Sequence, residues 1–448
     1  MSGAFRLEAL SAAARVVAAY DAATDDFSFA ATGRFWPAIA RAHRLGFRGG
    51  GRKVAIIDTP CDLGLARLGS RIDIGAGAAA AAGDRLSHGT AVALLISRIA
   101  PDCRLDLYPM LAPDGSPDIE LARQGIAAAA RSDAAVINLS VGMERDVALH
   151  RHMADNPDVA GMLADPHRWL ARVAPDAADC RLCPATAEAI ARGKLVFAAA
   201  GNNPAVVCCP ARAEGVVAVG FQHESRQVVT HLDGSLLENA SASGTAYQSV
   251  LWDVAVEEID GVLGTSFACP LYAGVGALGI TAAELQGYLA SSRIGPLAMA
   301  LHAELRAGQG KAETVGQARA FYDAALSRLP HVHSAVEARL RPGIAPTDPA
   351  DCWTCGIFAE DKYVNAGLFC LETGRSEDAA SLLAVAGTVA PWSADAAANL
   401  GRTYEVLGRL AEALACYDRA LALRPGFAVY ARQRDGIRQR LPGGPAGP

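Results

Sequence analysis

Four short segments, each a run of apolar or small residues beside one polar group, constrain this chain most. In order they are Val-Ala-Ile-Ile-Asp-Thr-Pro around Asp58, Ser-His-Gly-Thr-Ala-Val-Ala-Leu-Leu around His88, Val-Phe-Ala-Ala-Ala-Gly-Asn-Asn-Pro around Asn202, and Gly-Thr-Ser-Phe-Ala-Cys-Pro around Ser266. Val54 to Ile57 is the kind of apolar run that forms a buried parallel strand, with Asp58 at its carboxyl end. Ligand sites of open α/β sheets lie at that end. His88 opens an apolar stretch long enough for a buried helix, and Ser266 precedes a small, apolar stretch running to Leu278. Pro270 is expected in the first turn of that second helix, where a missing N–H costs little.

These residue types fill the roles that acyl transfer at an amide needs. A serine hydroxyl is a weak nucleophile unless an imidazole takes its proton, and the imidazole needs a carboxylate to fix its tautomer. Ser266, His88 and Asp58 supply such a set. At a helix N-terminus, free N–H groups and the dipole would favour a developing oxyanion beside Ser266.

The order Asp, His, Asn, Ser and the residues flanking each resemble the subtilases, the subtilisin-like serine proteases, over 30–297. That resemblance implies a fold of class α/β, a subtilisin-like three-layer domain with a mostly parallel central sheet. It implies an acyl-enzyme on Ser266, with His88 as base and then acid, Asp58 orienting it, and the Asn202 amide in the oxyanion hole. Val136 to Gly142 resembles the family's substrate-binding strand, so Ser140, Val141 and Gly142 are expected to pair with an extended peptide. Cys208 to Gly220 resembles the segment that follows the oxyanion asparagine. The chain departs from the family pattern at Thr59 and Pro60, where glycine is usual, at Gly89 to Ala91, where a second histidine is common, and at Phe267 and Leu271. None of these removes a catalytic group, but Thr59 and Pro60 leave the loop after Asp58 undefined.

The 448 residues are 51% apolar and 20% charged, with a net charge of -6, which describes a globular chain of several domains and offers no electrostatic case for nucleic acid. No apolar run is long enough for a membrane span. Residues 1–29 lack the ordered regions of a signal peptide and read as an amphipathic helical extension, so a cytoplasmic enzyme is expected.

Eleven cysteines include Cys180 with Cys183 and Cys352 with Cys355, each at the spacing of half a zinc site, and the pair Cys208 and Cys209. Structural zinc, a redox pair and plain thiols all remain open, as does bound calcium; catalysis itself needs no cofactor. A stretch from about Glu144 to Arg192 reads as an insertion of short helices and turns, either a lid restricting substrates or a surface decoration. His150 and His152 within it do not share a helix face and read as exposed.

The region 298–448 turns alanine-, leucine- and arginine-rich, with two 34-residue units at 360–393 and 394–427. Leu400, Gly401, Tyr404, Ala413, Tyr417, Ala420 and Pro425 in the second, and Ala366, Gly367, Ala379, Leu383, Ala386 and Pro391 in the first, match the tetratricopeptide (TPR) pattern. A degenerate unit could start near Met299. Three units are about the minimum for a stable stack, so this α-helical TPR solenoid is expected to lean on the protease domain or on the segment after Phe427. Such modules bind peptides or protein partners, or here merely stabilise the enzyme. Two function classes follow: a serine endopeptidase whose substrate the repeats help recruit, or a catalytically silent protease-fold scaffold whose repeats bind partners.

Overall fold

The computed structural model describes residues 36–61, 87–113, 115–144, 180–201, 208–211, 213–219, 265–282, 284–285 and 360–441, with short pieces at 6–8, 20–21, 26–27 and 72–74 and isolated residues at 316, 320 and 353. The chain divides into two compact units, Met1–Thr32 with Ala42–Leu285, and Gly33–Arg41 with Gln286–Pro448.

The first unit is built on strands β1 (Arg6–Glu8), β2 (Tyr20–Asp21), β3 (Asp26–Phe27), β4 (Lys53–Asp58), β5 (Ile72–Ile74), β6 (Arg104–Pro109), β7 (Val136–Leu139), β8 (Gly142–Glu144), β9 (Leu195–Ala199) and β10 (Val217–Val219). Six of them form one parallel sheet in the order β10-β9-β7-β4-β6-β5. Parallel strands need crossovers, and helices α2 (His88–Ile99), α3 (Ile119–Arg131), α4 (Cys183–Ala191) and α5 (Thr265–Ala277) lie against the sheet; α1 (Trp36–Arg44) precedes it.

Side chains alternate along a strand, and the register aligns Ile56 of β4 with Asn138 of β7 and that residue with Phe197 of β9. Phe197 meets Gly276 of α5, whereas Ile57, on the opposite face of β4, meets Gly125 of α3. Asp58 therefore shares the face covered by α2 and α5. These two helices pack closely because Gly274 offers no side chain toward Ile99; an added Cβ there would stand 2.6 Å from the Ile99 Cβ. All of α5 is buried, which its run of alanine, glycine, valine and aromatic residues permits.

Two sequence expectations need correction, and a third, the insertion of short helices and turns, falls mostly outside the described residues. Of the stretch 1–29, the described parts are extended, not helical: Arg6–Glu8 pairs antiparallel with Gly142–Glu144, and Tyr20–Asp21 with Asp26–Phe27. A helix leaves no backbone group for a neighbour, while a strand satisfies the open edge of β8, so pairing outweighs the local pattern. The stretch read as an insertion contains α4, which is the crossover that two parallel strands, β7 and β9, require. Residues 145–179 lie outside the described residues, and with them the lid reading, His150 and His152. Pro270 sits in the second turn of α5, not the first. Having no N–H, it cannot bond the carbonyl four residues back, that of Ser266.

The second unit contains α6 (Glu360–Glu372), α7 (Ser376–Val389), α8 (Ala394–Val406), α9 (Leu410–Leu423) and α10 (Ala428–Arg440). The first four are the helix pairs of the two repeats. Gly367 faces Leu383, where a Cβ would meet Cγ at 2.6 Å, and Gly401 lies against Cys416 and Tyr417. Both pairs turn on a glycine in the left-handed region, Gly374 (φ 78°) and Gly408 (φ 74°). The Ser393 hydroxyl caps α8 by accepting from Ala396 N at 3.0 Å. α10 covers the last pair with Tyr430 and Ile437, which join Ala413, Tyr417 and Ala420 in one buried cluster. The segment after Phe427 thus covers the second described repeat. The proposed unit near Met299, and Cys352 with Cys355, lie outside the described residues.

Tyr417 is fully buried at the centre of that cluster. Replacing it by alanine is expected to lower the stability of the repeat unit by about 3–5 kcal/mol. Denaturant titration of the full chain, followed by far-UV circular dichroism, would show it as an earlier transition of part of the helical signal.

Candidate active site

The carboxylate comes from a strand whose residues Val54 to Asp58 are all buried. A carboxylate in such a place must be hydrogen-bonded, since an isolated buried charge is strongly disfavoured. Asp58 Oδ1 accepts from its neighbour's backbone, Thr59 N, at 2.7 Å, and lies 2.7 Å from His88 Nδ1. Because Nδ1 faces a carboxylate, the neutral imidazole carries its proton there and Nε2 is left as the acceptor. His88 is 2% exposed, and its Nε2 has no hydrogen-bond partner among the described residues.

His88 is the first residue of α2, and a set of contacts fixes that turn to the end of β4. Ser87 caps the helix by accepting from Thr90 N at 3.1 Å, while its hydroxyl donates to Pro60 O at 2.5 Å. Gly89 N donates to Thr59 Oγ1 at 2.7 Å. The loop after Asp58, undefined in the sequence, is therefore the clamp for the histidine helix. Glycine is obligatory at position 89, because a Cβ there would lie 2.1 Å from Thr59 O. Thr59 and Gly89 were missed as positioning residues; nothing in the two segments alone shows that they meet.

Ser266 is the second residue of α5 and 5% exposed, and at that position its N–H has no acceptor within the helix. The next residue, Phe267, places its ring 4.9 Å from the imidazole, centroid to centroid, at 48°. On the other side Thr265 Oγ1 accepts from Gly201 N at 3.2 Å, tying the serine turn to the end of β9.

Asn202 follows Gly201 directly but lies outside the described residues, which resume at Cys208. Cys208 N donates to Ala200 O at 2.8 Å, which brings together the described residues on either side of that stretch. The Ser140 hydroxyl, at the end of β7, accepts from Asn138 Nδ2 at 2.9 Å. Ser140 and Val141 are buried, and Gly142 packs against Cys208, where a Cβ would stand 2.6 Å from the Cys208 Cβ. Of the residues expected to pair with substrate, Gly142 alone is in a strand, and its partner there is the chain's own Glu8.

Asp58, Ser140 and Gly201 thus end or follow three adjacent parallel strands, all at the same edge of the sheet, with His88 and Ser266 at the starts of the two helices on one face. A sequence profile described as the subtilase family matches residues 49–293, more than half of the chain, and a tetratricopeptide repeat profile matches 394–427. The chain belongs to the subtilase family. Its fold is the subtilisin-like α/β domain followed by helical TPR structure. Solved structures similar to this subtilase include a cold adapted subtilisin-like serine proteinase, at 24% identity over 55% of this chain and 83% of that one, with a TM-score of 0.38. Others are a lanthipeptide protease, at 20% identity over 60% and 85% with a TM-score of 0.36, and the prenylagaramide maturation protease PagA, at 19% over 60% and 88% with a TM-score of 0.38. No protein of curated function matches the sequence significantly. No helix among the described residues is long and apolar enough to cross a membrane.

A second group of chemistry-bearing residues lies in the same unit. The thiols of Cys180, Cys183 and Cys209 lie within 4.8 Å of one another. For Cys180 the Cys183 hydrogen bond lowers the pKa, but the Cys209 thiol and burial outweigh it and push it up to about 11. Cys183 is pushed up as well, by its hydrogen bonds to Cys180 and Cys209 and by burial. No disulfide joins any of the cysteines among the described residues.

The clamp at Gly89 is testable. Gly89→Ala is expected to cost roughly 3 kcal/mol or more, because the nearest atom is rigid backbone. Thr59→Val, which strands the Gly89 N–H, should cost about 1–3 kcal/mol. Equilibrium denaturation of both variants would show the order, and a neutral Gly89→Ala would refute the close approach.

Proposed function

We propose that this subtilase is a serine endopeptidase that hydrolyses peptide bonds through an acyl-enzyme on Ser266. The observation that carries the reading is the buried Asp58–His88 hydrogen bond, which leaves Nε2 as an acceptor with no other partner described. In the proposed reaction the Ser266 hydroxyl transfers its proton to Nε2 as Oγ attacks the scissile carbonyl. The imidazolium formed is stabilised by Asp58, which stays ionised. The tetrahedral oxyanion is held by the Ser266 N–H at the start of α5 and by the Asn202 side-chain amide. His88 then returns the proton to the leaving amine, and water repeats the sequence to release the acid.

The segment Ser140 to Gly142 is proposed to bind the substrate main chain, and the domain bounds 30–297 and 298–448 to separate catalysis from recruitment. The repeats support a role in binding a peptide or protein partner: two helix pairs capped by α10 form the type of stack whose concave face takes up such ligands.

A fluorophosphonate probe should label the wild-type chain at Ser266, and Ser266→Ala should abolish labelling while a surface serine variant retains it. His88→Ala is expected to slow turnover about a million-fold, the scale measured in subtilisin itself. Asn202→Ala should slow it roughly 100- to 1,000-fold, again a subtilisin figure. A folded wild type that resists the probe and cleaves no unfolded protein would favour the silent scaffold instead.

A further inference from the structure

Three cysteines that play no part in the proposed reaction converge from two distant stretches of chain. Cys180 and Cys183 flank the turn entering α4, and Cys209 follows the stretch that contains Asn202. Cys180 and Cys209 are each 2% exposed and Cys183 is partly exposed. Their Sγ atoms lie within 4.8 Å of one another. In a tetrahedral zinc thiolate, Zn–S bonds of about 2.3 Å set sulfur atoms about 3.8 Å apart, so small side-chain rotations would seat the ion. The two-residue spacing of Cys180 and Cys183 is that of half a zinc site, and it matters that three thiols converge here, since a disulfide would use only two.

We infer that Cys180, Cys183 and Cys209 form a structural metal site that binds one zinc ion as thiolates. Binding releases the three thiol protons to solvent, and no electron is transferred. The partly exposed side of Cys183 leaves the fourth tetrahedral position to water. Cys208 takes no part; it packs on Gly142, and its N–H donates to Ala200 O. The zinc would fasten the entry to α4 to Cys209, and so join the β7–β9 crossover to the segment that precedes β10. This site stands on the cysteine geometry alone and does not depend on catalysis.

The test uses the full chain purified with reductant, loaded with zinc alone and passed through a desalting column. Elemental mass spectrometry should find about one zinc per chain. Cys180→Ser, Cys183→Ser and Cys209→Ser should each lose most of it, whereas Cys103→Ser, at a buried cysteine outside the cluster, should keep it. Cobalt in place of zinc should give thiolate-to-metal charge-transfer absorption in the wild type. Should a serine variant fail to fold, the wild type still decides: zinc must protect Cys180, Cys183 and Cys209 from alkylation, and a chelator must expose them. Failure of the wild type to retain stoichiometric zinc, or its retention by the three variants, would overturn the site. So would an intact mass two hydrogens lighter under reducing purification, with a disulfide mapped within the cluster.

Discussion

Asp58 is wholly inside the protein, and among the described residues its one short contact with a side chain is to the imidazole of His88. Removing a carboxylate from water costs several kcal/mol even after relaxation, so this position is tolerable only if donors are fixed in place around it. The Thr59 N–H is local, but the His88 Nδ1–H must be carried there by another element. That requirement brings the first turn of α2 against the end of β4 so closely that position 89 admits no side chain. It also requires that α2 be held along its length, which the contact between Gly274 and Ile99 achieves by setting the fully buried α5 beside it. The geometry of the candidate site and the packing of the domain are therefore one problem: the helix that carries Ser266 is the helix packed against the one that carries His88.

The sequence showed much of this, and the reason is chemical. An apolar run ending in aspartate reads as a buried strand because few other environments suit it, and β4 ends at Asp58 as expected. The starts of the two helices, at His88 and beside Ser266, were legible because each stands at the boundary between small residues and a buried apolar stretch. The contacts that make the site rigid were not legible. Thr59 looked like a departure that weakened the loop, yet its hydroxyl receives the Gly89 N–H, a pairing between residues distant in sequence. Residues 1–29 read as an amphipathic helix, but the strand partner of Arg6–Glu8 is Gly142–Glu144, too distant in sequence for a local pattern to show. Pro270 was expected in the first turn, but the helix already starts at Thr265, which puts Pro270 in the second.

The repeats were more transparent, because their contacts are local. Each helix packs on its neighbours, so the same residue spacing recurs where helices approach: Gly367 on Leu383 in one pair, Gly401 on Tyr417 in the next. A one-dimensional stack makes sequence period and spatial period the same quantity. The cysteines show the opposite case. Cys180 and Cys183 announced a half-site, but the third thiol comes from beyond β9, and nothing short of the folded crossover shows which cysteine it is.

The end of the array shows what such a stack needs. A terminal helix pair has one apolar face with no following repeat, and leaving it in water would forfeit the burial that holds the pair together. Here α10 covers it with Tyr430 and Ile437, but little else of that helix is apolar. Its remaining positions are rich in arginine and are used for fastening: Arg438 reaches Asp418 of α9 at 3.2 Å, Arg440 pairs with Glu405 of α8, and the Tyr430 hydroxyl bonds Asp395. Exposed pairs of this type contribute little each, so the two buried side chains set the stability and the charges set the position. A helix with one narrow apolar stripe and a polar outer face can end a solenoid, whereas a third full repeat would only move the unsatisfied face along by one unit.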